Sequence, residues 1–345
     1  MSRTRFQILR KYLHFNDNSQ LIPRNQDGYD KCFKIRPFIK EIQNNMQKLE
    51  MEERVCIDEL IIPFKGRSSL KQYIKSKPHK WGNKIFALAG SSGIVYDFEI
   101  YAGKQTNPTP SELGISGDIV LQLAKNIPKF QNHKLFCDNY FSSIALAKKL
   151  KEKGIFMVKT IRSNRLKDCK LKCDKDLKKE GRGSYVYKVD KKENIIIVKW
   201  YNNKFVHIIS TFVGVHPVVN VKRWSLSNKE YIEVPRPNVL KIYNEGMGGV
   251  DLHNMLVECY RVDIKGKRFY LRIIFHLLDM CVVNSWLLYK RQICHEKENK
   301  IMKLIQFKTH IVKALLSAGK TSKRKSGRPL NKPIKKKISS NGSYI

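Results

Sequence analysis

Apolar positions fall into two rhythms along the chain. In the first 50 residues, Phe6, Leu9, Tyr12 and Leu13 recur near helical spacing and predict a first helix, which ends at His14-Phe15-Asn16-Asp17-Asn18. The phrase DKCFKIRP leads into a second predicted helix over 38–51. The rhythm then changes. Val55-Cys56-Ile57-Asp58-Glu59-Leu60-Ile61-Ile62 is a β-type apolar run, and Phe64-Lys65-Gly66-Arg67 turns the chain. Strand-like runs follow over 84–89 and 94–101, then a proline-containing loop over 106–111. Ser116-Gly117-Asp118 caps a predicted helix over 119–126. A short strand, Lys134-Leu135-Phe136-Cys137, runs into Asp138, polar residues, a helix over 144–153 and a strand over 155–161.

The lysine-rich stretch 167–192 predicts a solvated loop. Strand-like runs over 194–200 and 204–213 bracket Asn202-Asn203 as a hairpin. Pro235-Arg236-Pro237 breaks the chain before a helix beginning at Val239. Gly246, Gly248 and Gly249 then remove side chains, so that backbone or another element can approach closely, and Asp251 heads a helical run over 252–260. A basic connector, 261–268, precedes an apolar helix over 270–291. That helix carries Arg272, His276, Asp279 and Asn284, which argues for a core helix and against a membrane span.

Three aspartates interrupt this pattern. Asp58 sits in an apolar run, where a charge is costly unless it is paired or bound to metal. Asp138 stands where a strand ends, the position at which active residues collect in a sheet covered by helices. Asp251 follows the glycines at a helix start. Each has a plain structural reading as well: an edge-strand salt bridge for Asp58, a carboxylate in the field of a helix N-terminus for the other two.

Composition narrows the partner. The 345 residues carry 67 Lys and Arg against 30 Asp and Glu, a formal charge of +37, which favours a polyanion and above all nucleic acid. Lys65, Arg67, Lys71, Lys75, Lys77, Lys80 and Lys84 are interleaved with Tyr73, His79 and Trp81 in one segment. The N-terminus has no uninterrupted apolar core of a secretory signal. The eight cysteines lie mostly in apolar runs without a C-x-x-C pair, so no zinc domain is evident and the usage fits a reducing compartment. From 320 the chain becomes basic and nearly free of apolar residues; it is expected to be disordered and to serve as a nuclear signal or nucleic-acid arm. Gly327-Arg328-Pro329 there is similar to the core of a minor-groove AT-hook.

Taken together, RFQILRKYLHFNDN, DKCFKIRPF, IDELIIPFKGRSSLKQYIKSKPHKWGNKIFAL, VYDFEIYAGK, CDNYFSS, TIRSNR, RWS, YNEGMGGVD and VVNSWLLY resemble, in order, the piggyBac family of DDE/D transposases and their domesticated derivatives. The resemblance covers most of the chain, from near residue 5 to near residue 290. It implies an α/β fold: an RNase H-like (retroviral integrase-type) catalytic core with a β-rich insertion, flanked by helical segments. The implied division is a partial helical DNA-binding and dimerisation region over 1–52, core over 53–165, insertion over 166–233, the rest of the core and C-terminal helices over 234–319, and the basic tail over 320–345.

By the same resemblance, Asp58, Asp138 and Asp251 are the catalytic, metal-binding carboxylates for Mg²⁺ or Mn²⁺, with Asn254 beside them where the family has a fourth Asp. In-line phosphodiester chemistry needs the attacking and leaving oxygens held together, which paired divalent ions accomplish. The seven cations of the 65–84 segment, with Arg162, Arg165 and Arg328, are the expected DNA contacts. The expected activity is metal-dependent cleavage and transfer of double-stranded DNA at transposon ends and TTAA targets, in the nucleus, by a homodimer. The family's C-terminal cysteine-rich domain and most of its N-terminal region find no match, so the chain reads as a piece of a longer design. The alternative is a domesticated, catalytically weak DNA-binding protein.

Overall fold

A computed structural model describes residues 1–318 apart from 76, 78, 104–105, 107–109, 142, 167–168, 265 and 296–300. The chain divides into two compact units, Met1–Ile301 and Met302–Ile345.

The first unit is built on one mixed sheet. Its inner strands are β1 (Arg54–Pro63), β3 (Trp81–Gly90), β5 (Lys134–Cys137) and β6 (Phe156–Thr160). β3 runs antiparallel to β1 and continues antiparallel into β4 (Val95–Ile100) and the short β2 (Lys71–Tyr73). β5 lies parallel to β1 on the other side, and β6 parallel to β5. The order β4-β3-β1-β5-β6, with one antiparallel meander and two parallel additions, is the RNase H arrangement. Parallel neighbours need crossovers, and helices supply them: α3 (Gly114–Leu123) precedes β5 and α4 (Ile144–Glu152) joins β5 to β6. Val55, Ile57, Phe86, Leu88, Leu135 and Phe136 are almost wholly excluded from solvent. A strand covered on both faces must be apolar throughout, which is why these runs do not alternate.

The sheet continues past β6. β9 (Phe205–Ser210) pairs antiparallel with β6, β8 (Ile195–Tyr201) with β9, and β7 (Tyr185–Asp190) with β8. Here the structure corrects the sequence: 167–192 is expected as a loop, yet it holds α5 (Asp174–Lys179) and β7. Lysines mask the alternation of Tyr185, Tyr187 and Val189, and pairing to the apolar β8 decides the outcome. Cys173 caps α5 through its sulfur. A separate antiparallel ribbon follows, β10 (Val219–Ser225) and β11 (Glu230–Arg236).

Among the remaining helices are α1 (Arg3–Tyr12), α2 (Arg36–Met46), α6 (Asn238–Gly246), α7 (Gly249–Cys259) and α8 (Phe269–His295). α8 is long and apolar enough to cross a membrane by length and composition, but His276, Asp279 and Asn284 on it are buried inside the protein. Asn284 bonds the backbone of Val95 in both directions, at 2.7 and 2.9 Å, and Asp279 accepts from the Val262 amide at 2.8 Å. The second unit contains α9 (Leu304–Ser317). The tail from 320, Arg328 included, lies outside the described residues.

Candidate active site on the central strands

Asp58 lies in the middle of β1, beside Ala87 of β3. On the other side, Ile57 of β1 is in register with Cys137 of β5. Asp58 and Asp138 each follow that pair by one residue, so two parallel strands deliver their acids side by side. Eighty residues separate them in sequence; hydrogen-bond register alone brings them together.

Asp251 comes from α7, which packs on β1 and β3. A Cβ on Gly249 would stand 2.1 Å from the carbonyl oxygen of Gly90 and 3.1 Å from Cys56 Sγ. Only glycine lets the start of α7 rest directly on the strands. The Gly249 and Val250 amides point at the Cys56 sulfur, while burial pushes the thiol up to about 12. His253 Nδ1 ties α7 to the Gly93 carbonyl at 2.9 Å. In the first turn of the helix, Asp251 is exposed, in the positive field of the N-terminus.

The three acids interact electrostatically. Burial raises Asp58 to about 6; the Glu59 amide and Lys77 oppose this, and the charges of Asp251 and Asp138 add to it. Asp58 Oδ1 accepts from the Glu59 amide at 2.7 Å, and Asp138 Oδ1 from the Tyr140 amide. The turn after Asp138 is clamped by two arginines. Arg165 donates to the carbonyls of Asn139 and Tyr140, both at 3.3 Å, and Arg162 to the Asn139 side chain at 3.2 Å.

The carboxylates are neighbours, not a closed cage. Among the described residues no three His, Cys, Asp or Glu side chains stand close enough to hold one ion. Asp58 and Asp138 each give an oxygen to a backbone amide. The donor chemistry nevertheless suits a hard dication, which takes carboxylate and amide oxygens. Asn254 adds an observation of its own. It lies three residues after Asp251, on the same side of α7, and its Oδ1 is buried without a hydrogen-bond partner.

The expected DNA contacts separate into two groups. Lys65, Arg67, Lys75 and Lys80 are exposed, with no carboxylate partner among the described residues; Lys71 and Lys77 are half-buried. Lys84 departs from expectation. It is buried, paired with Glu59, and its Nζ lies 4.6 and 4.4 Å from the ring centres of Phe86 and Tyr140. It points inward because its place on β3 faces the core, so it belongs to the packing and not to a DNA surface.

Sequence reasoning assigned no role to Tyr243 of α6. Its hydroxyl shares a hydrogen bond with Thr160, and it is held well above the usual phenol range by burial and by the nearby Asp138 and Asp58 charges. The signal was available: Tyr243 opens the phrase that ends in Asp251.

Strand order and helix placement together define an RNase H-like α/β scaffold, and comparison with known proteins places it. Residues 1–286 match the family described as Transposase IS4, and the chain belongs to that family. Its relatives are of the piggyBac type. The chain is 33% identical over 316 residues to human PiggyBac transposable element-derived protein 3, covering 90% of this chain and 51% of that one. With human PiggyBac transposable element-derived protein 2 it shares 32% over 333 residues, 95% of this chain and 55% of the other. The chain thus spans about half the length of these relatives. Among solved structures it resembles the piggyBac transposase in its synaptic complex with hairpin DNA, with TM-score 0.74 and 23% identity over 92% of this chain and 63% of that one. That likeness establishes the shared fold.

Proposed function

We propose that this protein cleaves and joins DNA strands as a metal-dependent, piggyBac-type transposase, acting in the nucleus on transposon ends and TTAA targets. The observation that carries the reading is the register of β1 and β5, which sets Asp58 beside Asp138 under the helix start bearing Asp251. Asp58, Asp138 and Asp251, with the Asn254 amide oxygen, are the residues that would hold Mg²⁺ or Mn²⁺. Bound there, such ions neutralise charge on the phosphate and activate the attacking oxygen. The chain's own residues do the rest. The exposed Lys65, Arg67 and Lys80 hold the phosphate backbone without reading sequence. Arg162 and Arg165 fix the turn that aims Asp138. A homodimer, as expected from the resemblance, would present two such sites to a pair of DNA ends.

A second reading has its own support: a DNA-binding derivative with weak chemistry. Asn254 stands where the family has a fourth Asp, removing a negative charge from a group that must attract dications. One experiment separates the two: nicking of a duplex carrying candidate transposon ends across a Mg²⁺ titration. The transposase reading expects nicking that Asp58→Ala reduces to background, and Asn254→Asp to lower the Mg²⁺ concentration required. Salt-sensitive DNA binding with no nicking by either protein would favour the binding reading.

A further inference from the structure

One side of the sheet offers more than a phosphate track. Trp81 is 48% exposed and Tyr73 51% exposed, although both lie on paired strands. Their rings touch, with centroids 4.8 Å apart and planes tilted by 50°. Lys71 Nζ lies 4.9 Å from the indole centre, so the ring already receives a cation on its face. Beside them opens a groove of about 660 Å³ lined by Phe64, Lys65, Lys80, Trp81, Arg261 and Arg272, among others.

The placement of this groove gives it meaning. Asp58 is paired with Ala87 on β3, and Trp81 lies six residues earlier on the same strand. Side chains alternate along a strand, so an even offset puts Trp81 on the Asp58 face. At about 3.3 Å per residue the separation along β3 is roughly 20 Å, which is about six nucleotides at the 3.4 Å spacing of a stacked strand.

The geometry points to a subsite for unpaired nucleotides of a DNA strand that leaves the reaction centre, with Trp81 and Tyr73 as stacking platform and the groove's cations on the phosphates. Phosphate contacts explain the lysines but not the aromatics. In an intact duplex the base faces are already stacked on one another and offer nothing to an indole. An unpaired base has a free face, and stacking on exposed aromatics in a basic groove is how proteins hold single strands without reading sequence. Two half-exposed aromatic rings in contact, bordered by Lys65 and Lys80, match that requirement. The inference deepens the transposase reading, yet it concerns binding and can be tested apart from catalysis.

The test compares binding of the full chain, in EDTA, to a DNA duplex with a short single-stranded overhang and to the same duplex fully paired. The parent should favour the overhang substrate. Trp81→Ala should weaken overhang binding roughly 5- to 100-fold, the range for loss of one base-stacking contact, and leave the paired duplex unchanged. Tyr73→Ala should act in the same direction, and Trp81→Phe should restore part of the preference. Lys80→Ala should weaken both substrates alike and lower the salt slope. Thermal melts of the variants exclude unfolding as the cause. Equal binding of both substrates by the parent, or an equal loss on both from Trp81→Ala, would overturn the subsite. So would tighter binding of a single-stranded RNA overhang than of the DNA one. Binding is read in EDTA and nicking separately in the Mg²⁺ titration, so overhang preference in the first with no nicking in the second would count against the catalytic reading alone, and nicking without preference against the subsite alone.

Discussion

The strands of the large sheet and the 64–81 segment use one residue type in opposite ways. Lys84, Lys159 and Lys199 are buried, and each has its ammonium engaged: Lys84 with Glu59, Lys159 on the Ser143 carbonyl, Lys199 with Asp174 at 2.6 Å and the Lys172 carbonyl at 2.7 Å. Lys65, Lys75 and Lys80 stand in water, with no carboxylate partner among the described residues. A buried charge must be matched within the fold, so the first set is committed to internal partners. An exposed, unmatched charge contributes little to folding and remains available to a polyanion. The count of 67 Lys and Arg therefore overstates the cations free at the surface, because some of them are internal.

The sharpest way to break this contrast is Lys84→Ala. It leaves Glu59 nearly buried without its partner, which should cost about 3 kcal/mol by urea unfolding. Gly249→Ala comes next. The added Cβ would meet the Gly90 carbonyl at 2.1 Å, so α7 must lift from the sheet. Overpacking of this kind costs typically about 1–3 kcal/mol, and because Asp251 moves with the helix, any nicking activity should fall by more than the stability loss explains.

A pH effect belongs to Lys159. Burial lowers its pKa from 10.5 to about 7 in the folded protein. Between those values the unfolded chain carries the proton and the folded one has released it. The unfolded state then binds more protons, so this group's contribution to stability rises with pH from about 7 to about 10. Lys159→Met should remove that rise: more stable than the parent near pH 7, with the gap closing towards pH 10 in thermal melts. A parent-minus-variant difference that stays flat across this range would count against a charged-to-neutral switch at Lys159.

The smallest effect on stability should come from the exposed set. Lys65→Ala and Lys80→Ala should each stay within about 0.5 kcal/mol of the parent in unfolding. Each should also lower the slope of log affinity against log salt on duplex DNA by about 0.9. Lys84→Ala, corrected for its lost stability, should leave that slope alone. A reduced slope for Lys84→Ala would show that the ammonium reaches DNA after all.

Much of this molecule is legible in its residues. The unbroken apolar runs around Cys56, Phe86 and Phe136 could only be strands covered on both sides, and an aspartate among them had to be either paired or functional. The glycines before Asp251 announce a close approach, and the ordered phrases announce the family. What the residues could not show is which way a side chain faces. Lys80 and Lys84 look alike in sequence; Lys80 precedes β3 and stands in solvent, while Lys84 lies within the strand, packed on Phe86 and Tyr140 and paired with Glu59. β7 was hidden because the lysines of the 167–192 stretch around it resemble a loop, and only the hydrogen bonds of β8 make it a strand. The grouping of the acids is likewise a tertiary result. Asp58 and Asp138 meet through a register between strands eighty residues apart, and Asp251 joins them because a helix without a side chain at Gly249 can lie against Gly90. Such long-range pairings depend on interactions between segments that no local pattern encodes, so the sequence determined the parts and their order, and the sheet decided which of them came face to face.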